Sequence, residues 1–159
     1  MSGAHRSGMS TLEEHINAIT FKIRTAATIV HRRVGPGCFE KAYVPCFAYE
    51  LQRQGLQFVR EARISLVYDD LVVAGAYVPD FIVEDVVVAE VKVAASLTGA
   101  DAAQLRTYLR LTGCPVGLLM NFGAPLMKNG IVRQVNNFPF GTERGRIPPL
   151  DPSEDSEDM

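Results

Sequence analysis

The chain has no run of apolar residues that approaches the ~20 needed to span a bilayer as a helix. Its first ten residues, MSGAHRSGMS, lack the apolar core of a secretory signal peptide. These two absences argue against the membrane-spanning and secreted classes. We therefore expect no membrane partner and a cytoplasmic location.

Cysteine is scarce, and the motifs of several common enzyme classes are missing. The 3 cysteines, Cys38, Cys46 and Cys114, have no CxxC spacing, and their odd number gives no natural disulfide framework. The sequence contains no P-loop, dinucleotide-binding glycine motif, GxSxG or internal repeat. We expect reduced cysteines in or near the core, and neither a nucleotide-binding fold nor serine-hydrolase chemistry.

A strong positive charge is also missing. The formal net charge is -2, but five of the eighteen acidic residues lie in 151–159. The remainder is mildly basic, with sixteen basic against thirteen acidic residues. This balance permits a phosphate-bearing ligand, although it is too weak to indicate nucleic-acid binding by itself.

Apolar residues at helical spacing predict two helices near the N-terminus. The first covers 11–34, begins with a capping box at Thr11 and Glu14, and ends at a Gly-Pro-Gly sequence. The second covers 39–55 and contains Pro45, which removes one backbone hydrogen bond. This proline favours a kink or a later helix start.

Strands dominate the middle of the sequence. Alternating residues in 57–74 predict a meander of strands, followed by a hairpin. A third helix is predicted over 99–112, ended by a glycine. The short apolar run 116–120 is expected to enter the sheet parallel to a neighbour through this helix, and 130–135 is expected to form a last strand.

The hairpin occupies 77–93 and reads YVPDFIVEDVVVAEVKV. Two runs rich in Val and Ile flank the pair Glu84-Asp85, which suits a tight turn. Pairing about this turn places Asp80 across from Glu90, and alternation puts Lys92 on the same face as Glu90. Two carboxylates and an ammonium group therefore converge on one patch.

Such a cluster needs compensation because like charges at close range raise a carboxyl pKa. A divalent cation is the simplest compensation, since Mg²⁺ is commonly held by one or two carboxylates together with waters and phosphates. The alternative is an ordinary solvent-facing strand with a Glu–Lys pair. The apolar residues that flank Glu90 and Lys92 reduce the weight of that alternative.

Several motifs together resemble a known family. Residues 79–92 have the form PD-x9-ExK, 37–43 match GxxExxY and 104–108 match QxxxY. The stretch 118–123, LLMNFG, fits the same pattern. Over roughly 12–135 the chain resembles the PD-(D/E)xK nuclease superfamily with RecB-like motifs, and in particular the small bacterial proteins named after GxxExxY.

The resemblance implies a metal site on the hairpin. Asp80, Glu90 and the backbone carbonyl of Val91 would bind Mg²⁺ or Mn²⁺. Lys92 would position the attacking water or stabilise developing charge. We therefore expect a cation cofactor and a nucleic-acid substrate.

The resemblance also implies roles for residues on two helices. Glu40 would help to order the metal or its water, Gln104 would orient Lys92 or a phosphate, and Tyr108 would line the same cleft. Purely structural alternatives remain open, namely a helix N-terminal charge for Glu40 and helix–sheet packing for Gln104 and Tyr108. Relatives often carry a His shortly before the Gln, where this chain has Ala100 and Asp101.

We predict a single α/β domain over 11–138, with a restriction-endonuclease-like mixed central sheet flanked by helices in the order ααββββαββ. Residues 1–10 are expected to form a disordered lead-in and 139–159 a disordered acidic tail. The expected function is metal-dependent hydrolysis of nucleic acid, with DNA favoured over RNA. Two alternatives are a non-catalytic binding or assembly module with the same fold, and a homodimer whose interface uses the hairpin cluster.

Overall fold

The computed structural model of the chain describes residues 4–137 and 144–147. The helices are α1 (Ala4–Val34), α2 (Glu40–Arg53) and α3 (Gly99–Thr112). The strands are β1 (Phe58–Arg60), β2 (Ile64–Tyr68), β3 (Leu71–Tyr77), β4 (Phe81–Val83), β5 (Val87–Lys92), β6 (Val116–Asn121), β7 (Ile131–Val135) and β8 (Arg146–Ile147). A short 3-10 helix, Met127–Asn129, precedes β7. None of the described helices is long and apolar enough to cross a membrane.

The central sheet has five strands in the order β1-β4-β5-β6-β7. All neighbouring pairs are antiparallel except β5 and β6, which run parallel because α3 carries the chain back across the sheet. The parallel entry of β6 and the helix over 99–112 are both confirmed. Gly113 ends α3 in the left-handed conformation, with φ of 72°.

A second, smaller sheet has the strand order β3-β2-β8. β2 and β3 form the antiparallel meander predicted upstream of the hairpin, and β8 joins β2 in parallel. β3 is an edge strand, and its residues from Leu71 to Ala74 are exposed. The smaller sheet packs on the side of the central sheet that faces α3.

Alternation along β5 divides the core into two layers. Val87, Ala89 and Val91 pack against α1 and α2, whereas Val88 packs against α3. Every residue of β5 from Val87 to Val91 is buried, as expected for a central strand covered on both faces. This mixed α/β architecture is the predicted fold class and is consistent with a restriction-endonuclease-like core.

The first helix differs from its prediction. α1 begins at Ala4, so the predicted start at Thr11 is wrong, and Thr11 and Glu14 lie inside the helix. The polar residues 4–10, predicted to belong to a disordered lead-in, have helical backbone. Residues 11–15 are exposed, so the helix extends past the capping signal by propagation from the packed part of α1, where each added residue gains one backbone hydrogen bond.

The number of strands also differs. Five strands precede α3 instead of the predicted four, because Phe58–Arg60 forms β1 at the outer edge of β4. Three residues are too few to give a readable alternation. Within the predicted tail, 144–147 is the only part of 139–159 that the structure describes, and it contains β8. The rest of that prediction lies outside the described residues.

The second helix runs through its proline. α2 begins at Glu40 and contains Pro45, so the helix predicted from near Phe39 is confirmed and the alternative of a later start is wrong. The proline falls early in the helix, where only one backbone hydrogen bond is lost. Glu40 is therefore the first residue of the helix, with Phe39 as the preceding cap position.

Candidate active site

The hairpin predicted from the sequence is formed by β4 and β5. The loop between the paired residues Val83 and Val87 consists of Glu84, Asp85 and Val86, and Glu84 and Asp85 have positive φ of 50° and 58°. Phe81 pairs with Ala89, so Asp80 and Glu90 are opposite each other one step further along the ladder. Pairing about Glu84-Asp85 alone would place Val83 opposite Val86, so the observed register differs from the predicted one by one residue. The predicted approach of Asp80 to Glu90 is observed.

Backbone N–H groups of the hairpin hold the carboxylates of Asp80 and Glu90 in place. The backbone N–H of Asp80 donates a 2.7 Å hydrogen bond to Oε1 of Glu90. The backbone N–H of Val91 donates a 2.9 Å hydrogen bond to Oδ2 of Asp80. Each carboxylate therefore occupies a defined position at the end of the ladder, where ordinary strand pairing stops.

The electrostatics of this pair are costly. Glu90 is only 3% exposed, and its burial together with the charge of Asp80 raises the pKa of Glu90 to about 8. Burial also raises the pKa of Asp80, while the hydrogen bond from Val91 opposes that shift. Two adjacent carboxyl groups thus resist ionising together.

Among the described residues, no three His, Cys, Asp or Glu side chains come close enough together to hold a metal ion. The hairpin offers two carboxylates and the carbonyl of Val91, which points to the Asp80 side because the N–H and C=O of one strand residue share a direction. Mg²⁺ commonly binds one or two carboxylates and completes its coordination with water. A cation would also favour the charged form of Glu90. The donor set therefore fits Mg²⁺ or Mn²⁺.

Lys92 lies on the same face of β5 as Glu90 and reaches α3. Its Nζ donates a 2.9 Å hydrogen bond to Oε1 of Gln104 and lies 3.7 Å from Oδ1 of Asp101. The structure thus brings together the lysine and the glutamine of the two sequence motifs. The ammonium group is oriented at the edge of the carboxylate pair.

Asp101 is a site residue to which the sequence interpretation gave no role. It forms a capping box with Thr98 at the start of α3, and the hydrogen bond from the Thr98 backbone lowers the pKa of its carboxyl. The spacing T-x-x-D before a helix was a readable signal of this arrangement. Its negative charge lies beside Lys92.

Tyr108 lies beneath the pair, on the α3 side. Its ring packs edge-on against Tyr77 with centroids 6.1 Å apart, and its hydroxyl is 3.5 Å from the carbonyl oxygen of Val78. Burial raises the pKa of Tyr108 to about 12, and the charges of Glu90 and Asp80 add to this shift. The hydroxyl therefore stays neutral and supports the site from below.

Glu40 approaches from the opposite layer of the fold. It is exposed at the first position of α2 and lines a cleft of about 440 Å³ that also contains Asp80. Lys41, Val44, Arg60 and Glu61 complete the lining of this cleft. Glu40 is therefore adjacent to Asp80, but it does not belong to the Lys92 side of the site.

Tyr43 fixes the segment that leads to Glu40. Its hydroxyl donates to the carbonyl oxygen of Gly35 and accepts a 3.3 Å hydrogen bond from the N–H of Cys38. Its ring stacks on Phe122 with centroids 4.8 Å apart. The tyrosine of the GxxExxY motif thus fixes the loop before α2 through two hydrogen bonds to its backbone.

Three cleft residues were missed by the sequence interpretation. Lys41, Arg60 and Glu61 reach the site only because β1 pairs with β4 and α2 packs beside it. The backbone N–H of Glu61 donates a 3.0 Å hydrogen bond to the carbonyl of Asp80, and its charge contributes to the raised pKa of Asp80. No local pattern around these residues indicates that contact.

Residues 17–134 match the model of the PD-(D/E)XK nuclease superfamily. This match covers most of the chain, so the chain belongs to that superfamily. Neither a curated protein nor a solved structure matches it. Membership of the superfamily indicates a nuclease-like domain, and the geometry of the hairpin is in keeping with it.

Proposed function

We propose that the chain is a metal-dependent nuclease that hydrolyses phosphodiester bonds in DNA. The observation that carries the proposal is the convergence of Asp80, Glu90 and Lys92 at the end of one hairpin. A buried carboxyl pair beside an oriented ammonium group suits a reaction in which charge develops on phosphate oxygens. Within the superfamily, the motif over 37–43 supports assignment to the GxxExxY group.

Asp80, Glu90 and the carbonyl of Val91 would hold Mg²⁺ or Mn²⁺. When bound, such an ion polarises the phosphate and lowers the pKa of a water molecule. Glu90 would have to be ionised to hold the ion, and because burial and the charge of Asp80 raise its pKa to about 8, it would release a proton on binding near neutral pH.

The remaining residues of the site would position the substrate and neutralise charge on its phosphate. Lys92 would donate an N–H hydrogen bond to the phosphate, while its hydrogen bond of 2.9 Å to Oε1 of Gln104 holds the ammonium group in place. Glu40 contributes a carboxylate to the cleft wall beside Asp80. Tyr108 is buried and fills the α3 side of the site.

The test is a cleavage assay of the purified chain with Mg²⁺ or Mn²⁺ on single- and double-stranded DNA and RNA. Lys92→Ala and Asp80→Ala are compared with the wild type and with Arg106→Ala, which alters an exposed residue of α3. We expect metal-dependent cleavage by the wild type and the Arg106 variant. The Lys92 and Asp80 variants should lose at least about 100-fold in rate, the usual loss when one electrostatic group at a reacting centre is removed.

Full activity in both the Lys92 and Asp80 variants would contradict the proposal. Circular dichroism of each variant checks that the fold is intact. Metal binding by calorimetry without cleavage of any of the four substrates would also contradict it, and would favour the binding or assembly module that keeps the fold.

A further inference from the structure

The cleft beside Asp80 contains two positive side chains that form neither an ion pair nor a hydrogen bond with any described residue. Lys41 and Arg60 line it together with three carboxylate residues. Within 4–137 and 144–147, neither cation forms an ion pair or a hydrogen bond through its side chain. The charges in this cleft therefore do not neutralise one another by direct contact.

Arg60 is placed by the sheet. It pairs with Phe81 across the β1–β4 ladder, so it lies one residue from Asp80 in register. Its guanidinium carbon is 5.8 Å from the centroid of the Phe81 ring, which is fully buried and part of the core. A guanidinium group that contacts a ring through its face keeps its N–H donors free to bind in the plane of the group.

Lys41 faces the same cleft from α2. It directly follows Glu40 and is exposed, so its long side chain can reach the cleft opening. The cleft thus has one rigid planar cation and one flexible point charge on facing elements. These two cations offer N–H donors to an anion with several oxygen acceptors, while the three carboxylates of the lining leave the cleft without a net positive charge.

A phosphodiester substrate presents phosphates on both sides of the bond that is cut. The hairpin accounts for the cleaved phosphate, and the nearest cations outside that reaction centre that line the cleft with Asp80 are Arg60 and Lys41. Arginine binds phosphate through two parallel hydrogen bonds, and lysine binds it as a point charge. The cleft is continuous with the reaction centre through Asp80.

We infer that Arg60 and Lys41 form a binding subsite for a backbone phosphate that neighbours the cleaved phosphate. The inference rests on the proposed nuclease function. The subsite fixes the position of the strand relative to Asp80, and it has no part in the chemical step. Arg60 and Lys41 are thus positioning residues.

The test is the salt dependence of DNA binding, measured by fluorescence anisotropy with labelled oligonucleotides between roughly 50 and 200 mM NaCl. Binding is measured in EDTA, and again with Mg²⁺ in a Lys92→Ala background. Arg60→Gln and Lys41→Gln are compared with Arg53→Gln. Arg53 is a matched control, because it also stacks on an aromatic ring, Tyr49, at the other end of α2.

Loss of one phosphate contact should lower the slope of log K against log salt by about 0.9 on duplex DNA and about 0.7 on single strands. We expect this change in Arg60→Gln and in Lys41→Gln, with a wild-type slope in Arg53→Gln. Arg60→Lys keeps the charge and should restore most of the slope. The same DNA is checked for cleavage after each titration.

A wild-type slope in both Gln variants would overturn the inference, and if the wild type still cleaves DNA the proposed function stands. An altered slope without cleavage by the wild-type chain would support the subsite and contradict the nuclease. Absence of binding in both the EDTA and the Mg²⁺ titrations would overturn the subsite.

Discussion

The backbone N–H of Asp80 donates a 2.7 Å hydrogen bond to Oε1 of Glu90. One carboxylate residue thus positions the other through its main chain, so the pair is set by the hairpin register and not by side-chain rotamers alone. The hydrogen bond stabilises the charged form of Glu90, but burial and the charge of Asp80 outweigh it. The geometry of the two carboxylates suits a bound cation. Without a cation, their ionised forms destabilise the folded state.

Stability should fall as the pH rises in the absence of metal. Glu90 has an ordinary pKa of 4.5 and a folded-state pKa of about 8, so the folded chain holds an extra proton between these values. Its contribution is fully present below about pH 4.5 and is lost as the pH rises through about 8. The slope is about 1.4 kcal/mol per pH unit, or roughly 3 kcal/mol between about pH 5.5 and 7.5.

The measurement is urea unfolding in EDTA across this pH range. Glu90→Gln keeps the shape of the side chain and its acceptor oxygen for Asp80, and should flatten the profile and be the more stable protein at high pH. Glu13→Gln, which alters an exposed residue of α1, should follow the wild type. Parallel profiles for the wild type and Glu90→Gln would show that Glu90 is not the titrating group.

Divalent cations should stabilise the folded chain. A ligand that binds only the folded state adds about 2.7 kcal/mol at 100 times its Kd. We expect Mg²⁺ or Mn²⁺ to raise Tm in the wild type and in Asp85→Asn, whose carboxylate lies in the exposed turn. Asp80→Ala should not respond.

The metal effect should also depend on pH. Because the cation displaces the proton of Glu90, its apparent affinity should rise by up to about tenfold per pH unit below pH 8. Calorimetric titrations at two pH values measure this change directly. An affinity that stays constant with pH would place the cation away from Glu90.

Gln104 should matter through Lys92. Their 2.9 Å hydrogen bond has a charged donor but an exposed acceptor side chain, so its loss should cost about 0.5–1.5 kcal/mol, or roughly 2- to 10-fold in rate. Gln104→Ala should therefore lower kcat of DNA cleavage with little change in KM. Arg106→Ala, two residues further along α3, should behave as the wild type, and equal losses in both variants would point to a general effect of the helix.

Tyr43→Phe should destabilise the loop that precedes α2. The change removes a donor to Gly35 and an acceptor for Cys38 inside the fold, which should cost about 1–3 kcal/mol of unfolding free energy. Tyr49→Phe is the control, because Tyr49 is 57% exposed and its loss should change stability by less than about 0.5 kcal/mol. Chemical denaturation of both variants tests the difference. Similar stabilities would contradict a stabilising role for the two hydrogen bonds of Tyr43.

The hairpin and its site were predictable because their signals are local. Two apolar runs and a turn pair predict the hairpin and bring Asp80 near Glu90, whereas the third loop residue, Val86, sets the register that places the two opposite each other. The third helix was equally clear, since Gly113 and the residues after it mark its end. In each case a short stretch of sequence contains all the information needed.

The cleft that contains Lys41 and Arg60 could not be predicted in the same way. Arg60 reaches Asp80 only through the pairing of β1 with β4, and β1 is too short to reveal its alternation. Lys41 depends on how α2 packs, which no spacing within the helix specifies. The start of α1 was missed for a similar reason, because a capping signal at Thr11 is overridden by the surrounding helix.

The two parts of the site therefore differ in how far apart their residues lie along the chain. Asp80, Glu90 and Lys92 lie within 80–92, on one hairpin with a three-residue loop. Contacts at short sequence separation form early and at little entropic cost, whereas docking of α2 closes a long loop. During folding the hairpin can therefore bring Asp80, Glu90 and Lys92 together before α2 docks and adds Lys41 to the cleft.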